Sequence, residues 1–130
     1  MAVDTDVVRR RVFQGRYGMT LVEEDINLFT NQTTAADGVW MDATGWEALN
    51  VTYVIHSSTG TLKVDGAGTA TVPANSTDGV GLASDLTASG YVSLQRHQLP
   101  KWVKVHPHAV GADVSIHLKI TKLIGDNVTT

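Results

Sequence analysis

Along much of the chain apolar and polar residues alternate one by one, the period of a half-buried β-strand, and no stretch carries the spacing of an amphipathic helix. The clearest case is Leu99 to Leu123, where two alternating runs flank Gly111 and Ala112, a Gly-first pair suited to a type II′ turn. Read as a hairpin, this stretch sets Val105 opposite Leu118, Val103 opposite Ile120, Pro107 opposite Ile116 and Ala109 opposite Val114, one continuous apolar face. The other face carries Trp102, Lys104, His106 and His108 against Thr121, Lys119, His117 and Ser115. The alternation recurs in Leu49, Val51, Tyr53 and Ile55, with Asn50, Thr52, Val54 and His56 between them. Shorter strands are predicted after Asp25, through Ile26 and Leu28, over Thr61 to Val64, over Thr69 to Val72 before Pro73, and from Tyr91 to Arg96. Asp37-Gly38 and Asp65-Gly66 mark turns, and the Ser-, Thr-, Asp- and Gly-rich run from Ala74 to Gly90 reads mostly as loop.

Seven or eight short strands with turn signals between them predict an all-β single domain, an antiparallel β-sandwich or jelly roll, over residues 18–124. The long connection between Ala74 and Gly90 suits a chain that crosses between two sheets better than an up-and-down barrel. Residues 1–17 show neither strand alternation nor a helical stripe and read as an extended N-terminal arm, and residues 125–130 as a polar C-terminal tail. The acidic triplet Glu23, Glu24 and Asp25 is expected in a loop, because three consecutive carboxylates on a strand point to alternate faces and cannot converge on one ligand.

A chain of 130 residues can bury a core without disulfides, and it has no cysteine, which excludes thiolate nucleophiles and cysteine zinc sites. A formal net charge of -3 does not suggest a nucleic-acid binder. No apolar run approaches the length of a membrane span, and the arginines near the start are not followed by the apolar core of a secretory signal. Four Asn-x-Thr patterns, at Asn31, Asn50, Asn75 and Asn127, reflect a chain rich in threonine and asparagine. The basic residues are distributed unevenly: four of the five arginines precede Tyr17, and all five lysines follow Gly60. In the arm, Arg9, Arg10, Arg11 and Arg16 offer guanidinium forks suited to carboxylates, and Val12, Phe13 and Tyr17 offer apolar anchors, so these seven residues form a candidate partner-binding set.

In the hairpin register His106, His108 and His117 share a face and resemble a three-nitrogen zinc set. No metal is expected there, since no acid stands nearby as a second partner and Lys104 and Lys119 would repel a cation. With Trp102, an apolar ring on a polar face, Lys104 and the three histidines read instead as an oligomer interface. Gly66-Ala-Gly68 and Gly79-Val-Gly81 are too short for a dinucleotide fingerprint, and no Gly-x-Ser-x-Gly pentapeptide raises a hydrolase above background. No catalytic residue and no cofactor are expected. Trp40, Trp46 and Trp102 could stack on a sugar, which keeps a carbohydrate-binding sandwich as the alternative.

The cysteine-free β-domain, the basic leading arm, the stretch Gly45-Trp46-Glu47-Ala48-Leu49 and the closing Leu99-Pro100-Lys101-Trp102-Val103-Lys104-Val105 together resemble the small capsid decoration, or cement, proteins of tailed bacteriophages. The resemblance implies a jelly-roll-like homotrimer on the capsid exterior of the virion, with the major capsid protein as partner and neither nucleic acid nor membrane involved. It implies binding in place of catalysis. A small tail or head-to-tail component is the second alternative within the same setting.

Overall fold

The computed structural model describes residues 3–14, 19–75 and 78–125. Nine strands are present among them: β1 (Val7–Gln14), β2 (Met19–Gln32), β3 (Met41–Asp42), β4 (Trp46–Ser57), β5 (Gly60–Ala67), β6 (Val80–Gly81), β7 (Gly90–Gln95), β8 (Trp102–Val110) and β9 (Asp113–Gly125). One sheet has the order β1-β2-β9-β4-β7 and the other β3-β8-β5-β6, with every pairing antiparallel. The pairs are nested: β2 with β9, β3 with β8, β4 with β7 and β5 with β6. The chain is thus one long two-stranded ribbon, folded back between β5 and β6 and then rolled up, which is the jelly roll. Ladders β4–β9 and β5–β8 join successive turns of the roll, and β1 adds a ninth strand at an edge.

Alternation in the sequence maps onto the core between the sheets. Leu49, Val51 and Tyr53 from β4 and Val114, Ile116, Leu118 and Ile120 from β9 meet Leu62 and Val64 from β5 and Val103 and Val105 from β8, all buried. The predicted pairing of Leu99 to Leu123 is corrected, because β8 and β9 belong to different sheets. Their apolar faces look at each other across the core instead of lying side by side. Both edges of β9 are taken, by β2 and β4, and both edges of β8 by β3 and β5, so no edge remains for a hairpin between them. Gly111 is needed for another reason than a type II′ turn. Its N–H donates to Thr59 O at 2.6 Å, and a Cβ there would run into Ser58 and the Thr59 backbone.

Four further expectations change. Thr69 to Val72 is irregular chain, whereas β3 and β6, two residues each, lie in stretches expected to be turns and loop. Short strands of this kind owe their pairing to neighbours and not to their own alternation. The acidic triplet stands inside β2, a strand of 14 residues. Finally, residues 7–14 are a strand of the sheet and not a free arm, and even Asp4 ahead of them donates its N–H to Leu28 O at 3.0 Å.

Tyr53 is the largest side chain at the centre of the core, 1% exposed, and its hydroxyl is buried with no hydrogen-bond partner among the described residues. Burial raises its pKa. Gly60 makes room for it, since a Cβ at that position would strike the hydroxyl. Tyr53→Phe is expected to hold or raise stability by about 1 kcal/mol, because it removes a desolvated, unpaired group. Gly60→Ala is expected to cost about 1–3 kcal/mol through overpacking. Denaturant midpoints of the two variants check both signs.

Candidate functional site

β1 faces β2 in a register that sets the two charged runs against each other: Arg9 opposite Asp25, Arg10 opposite Glu24 and Arg11 opposite Glu23. On the other side of β2 lies β9, which brings Lys119 and Lys122. Each glutamate is therefore held between an arginine and a lysine. Glu23 takes Arg11 at 3.2 Å and Lys119 at 2.6 Å; Glu24 takes Arg10 at 3.8 Å and Lys122 at 2.5 Å. Because neighbouring residues of a strand point to opposite faces, one clamp forms on each side of the sheet. The hydrogen bond from Lys119, and after it the charges of Lys119, Arg11 and Arg9, hold the Glu23 carboxyl below the usual carboxylate range, against a smaller opposing effect of desolvation.

The charges of β1 are thus turned partly inward, but its apolar side chains are not. Val7, Val8, Val12 and Phe13 are all exposed, Val8 and Val12 by more than half. On the face that carries Phe13, the row Phe13–Leu21–Leu123 runs across β1, β2 and β9 with Leu123 also exposed, while Val12 points to the other face. Arg9, Arg10, Arg11, Val12 and Phe13 are therefore brought together on one edge strand. Arg16 and Tyr17 lie outside the described residues. The charge complementarity of Arg9–Arg11 and Glu23–Asp25 is in the sequence, but the strand pairing that uses it is not.

The expected oligomer interface is not brought together. His117 lies on the first sheet, where its Nδ1 donates to Asn27 Oδ1 at 2.8 Å, while Trp102, Lys104, His106 and His108 belong to the second. His106 and Lys104 are buried within their own chain, at 6% and 2% exposure. The segment before β3 covers them. Gly38, at a φ of 71°, lies against the β8 backbone at Val105 and the Cβ of His106, and the ring of Trp40 stands 5.1 Å from the Lys104 ammonium. The His106 ring lies between Ala36 O, 3.1 Å from Nδ1, and Asp65 Oδ2, 3.0 Å from Nε2, which ties that segment to β8 and β5. Only His108 stays exposed, with its ring 6.1 Å from that of His106. Beside them is a cleft of about 370 Å³ in which Lys63 and Asp85 pair at 3.0 Å.

The tryptophans form no common platform. Trp46 is core, Trp40 covers Lys104, and Trp102 donates its indole N–H to Thr69 O at 3.0 Å. Among the described residues no cluster of three or more His, Asp or Glu side chains is arranged to hold a metal ion. What the arrangement presents is an edge strand, at the margin of the sheet among the described residues, with exposed apolar side chains and part-exposed guanidinium groups.

No protein-family model matches the chain, and no curated protein matches it. Among solved structures, the SPBc2 prophage-derived protein YomS is similar with a TM-score of 0.60 at 16% identity, over 78% of this chain and 95% of that one. The coat protein of Tobacco streak virus gives a TM-score of 0.40 at 12% identity, over 90% of this chain and 94% of that one. A cupin protein from Bacteroides fragilis gives 0.33 at 14% identity, over all of this chain and 87% of that one. The likeness to YomS is one of fold.

The Glu23 clamp generates a pH dependence of definite sign. A carboxylate whose pKa is lower in the folded state contributes stability above its unfolded pKa, and that contribution is lost as pH falls through the folded value. Acidification to below the ordinary glutamate range is expected to loosen the β1–β2 ladder ahead of the core. Amide hydrogen exchange of residues 9–13 measures it, and Glu23→Gln should remove much of the acid-sensitive part. Added salt should act in the same direction, since the arginines of both clamps are part-exposed.

Proposed function

We propose that this chain is a structural protein of a phage particle, a capsid decoration or cement protein that binds the major capsid protein from outside and stabilises the shell. The observation that carries the proposal is β1: an edge strand whose four large apolar side chains are exposed and contribute little to the core of their own domain. A monomer gains nothing from displaying them, and a long open edge invites pairing with another chain. The fold supports the reading from a second side, because a prophage-derived protein shares it over most of both chains. A rolled ribbon closed around one core presents a rigid body, which is what a shell needs from a protein that bridges subunits.

The homotrimer belongs to the proposal through the family resemblance, with His108 and the rim of Trp102 as its remaining candidates now that Lys104 and His106 are occupied within the chain. Sedimentation of the purified protein reads it. The role itself is tested on intact particles of the phage that encodes the chain. Copy number by quantitative mass spectrometry is expected near stoichiometry with the major capsid protein; a handful of copies per particle would place the chain in the tail or the head-to-tail joint. Val12→Thr with Phe13→Thr is expected to leave thermal unfolding within about 0.5 kcal/mol of the parent, as surface substitutions do, while weakening attachment to stripped particles. Equal attachment by this variant would remove β1 from the contact.

A further inference from the structure

From Arg9 to Gln14 the ladder between β1 and β2 is regular, and among the described residues no strand pairs with the far side of β1 in the sheet. In a strand every second residue points its N–H and C=O away from a given neighbour, so β1 offers a row of backbone donors and acceptors to an incoming strand. The side chains along that row limit what can come. A second copy of β1, laid antiparallel and centred on Arg10, would set Arg9, Arg10 and Arg11 against the same three arginines, and like charges directly opposite destabilise a pair. A second copy of β2 is not available either, since β2 is flanked by β1 and β9.

The structure itself contains the chemistry that β1 accepts. On its paired side, β2 sets Leu21 and Val22 against Phe13 and Val12, and Glu23, Glu24 and Asp25 against Arg11, Arg10 and Arg9. The same side chains remain available on the free side. Val12 and Phe13 are exposed, and the Arg10 and Arg11 side chains keep 52% and 38% of their surface in water. Arg9 lies opposite Asp25 and adds its charge at Glu23, but makes no close ion pair of its own among the described residues.

We infer that β1 captures an extended segment of a partner polypeptide by strand addition, and that this segment carries two apolar residues followed by two or three consecutive acidic ones, a chemical copy of Leu21 to Asp25. The inference rests on the reading of β1 as the docking edge and adds to it the mode of contact and the partner's chemistry. Backbone pairing supplies affinity, while the acidic run against the arginines sets direction and register.

The test uses this chain's own β2 as the probe. A fluorescent peptide of residues 20–26, Thr-Leu-Val-Glu-Glu-Asp-Ile, is titrated with the full chain and followed by anisotropy. Saturable binding is expected, with slowed amide exchange at residues 9–13. Two altered peptides should each bind about tenfold more weakly or worse: one with Gln and Asn in place of the acids, and one N-methylated at alternate amides so that it cannot form a ladder. Arg9→Gln, which keeps the Arg10–Glu24 and Arg11–Glu23 ion pairs, should weaken the parent peptide several-fold with an unchanged circular dichroism spectrum. Equal binding of the N-methylated peptide would overturn strand addition in favour of simple charge attraction. Dimerisation of the chain with protection confined to β1 would overturn the acidic partner in favour of a second copy. Failure here is separable from failure of the capsid role: particles rich in the protein together with a peptide that does not bind reject only strand addition, and a peptide that binds while particles lack the protein rejects only the capsid role.

Discussion

The double occupancy of β9 is the constraint on which the rest of the molecule depends. Its inward residues Val114, Ile116, Leu118 and Ile120 are at most 2% exposed, and its two edges are taken by β2 and β4. A strand that is saturated in this way cannot also pair with β8, its neighbour in sequence, so β8 must pass to the opposite sheet. The same exclusion acts at each turn of the ribbon. Rolling follows from pairing, and the core is the space that the roll encloses.

How much of this was legible in the sequence divides along a physical line. Inward and outward positions were legible, because period-two alternation is a property of a strand by itself: Leu49, Val51 and Tyr53, and the apolar residues of β8 and β9, all face the core as their spacing predicts. Partner choice was not, because it is settled by residues far away in the chain. The Gly111-Ala112 pair carries a local hairpin signal, yet the edges that a hairpin would use are occupied by strands from elsewhere. The fate of Lys104 and His106 was hidden for the same reason. Alternation placed them correctly on the outward face of the sheet, but a face is exposed only if nothing lies over it. Gly38 at positive φ lets the segment from Ala36 to Trp40 lie close over β8, and Asp65 then receives the His106 imidazole. The β1 edge was half legible: its residue types stood out, whereas their strand state and pairing with the acidic run did not.

Electrostatics and burial divide the work between the two ends of the first sheet. Toward the sandwich, β2 and β9 are held by apolar contact through Ile26, Leu28 and Phe29. Toward β1, the hold passes to the Glu23 and Glu24 clamps, and the apolar side chains turn to solvent. Surface ion pairs contribute little individually, so this end of the sheet is attached chiefly by its backbone ladder and by geometry. A domain arranged in this way keeps a firm centre and a margin free to engage something else.

The nesting of the ribbon also fixes an order of events during synthesis. β2 is made well before β9, so the ladder between them cannot form until the strands in between have been made, and contacts that distant in sequence close slowly. For that interval β2, with Leu28 and Phe29, is an uncovered strand of the kind that draws other chains into aggregates. Of its two partners among the described strands, β1 is the one made first. Arginines facing glutamates form a local pair that shields one side of β2 and puts charge beside its apolar residues while it waits. The strand whose apolar side chains stay outside the finished core is then also the one placed to pair with β2 first.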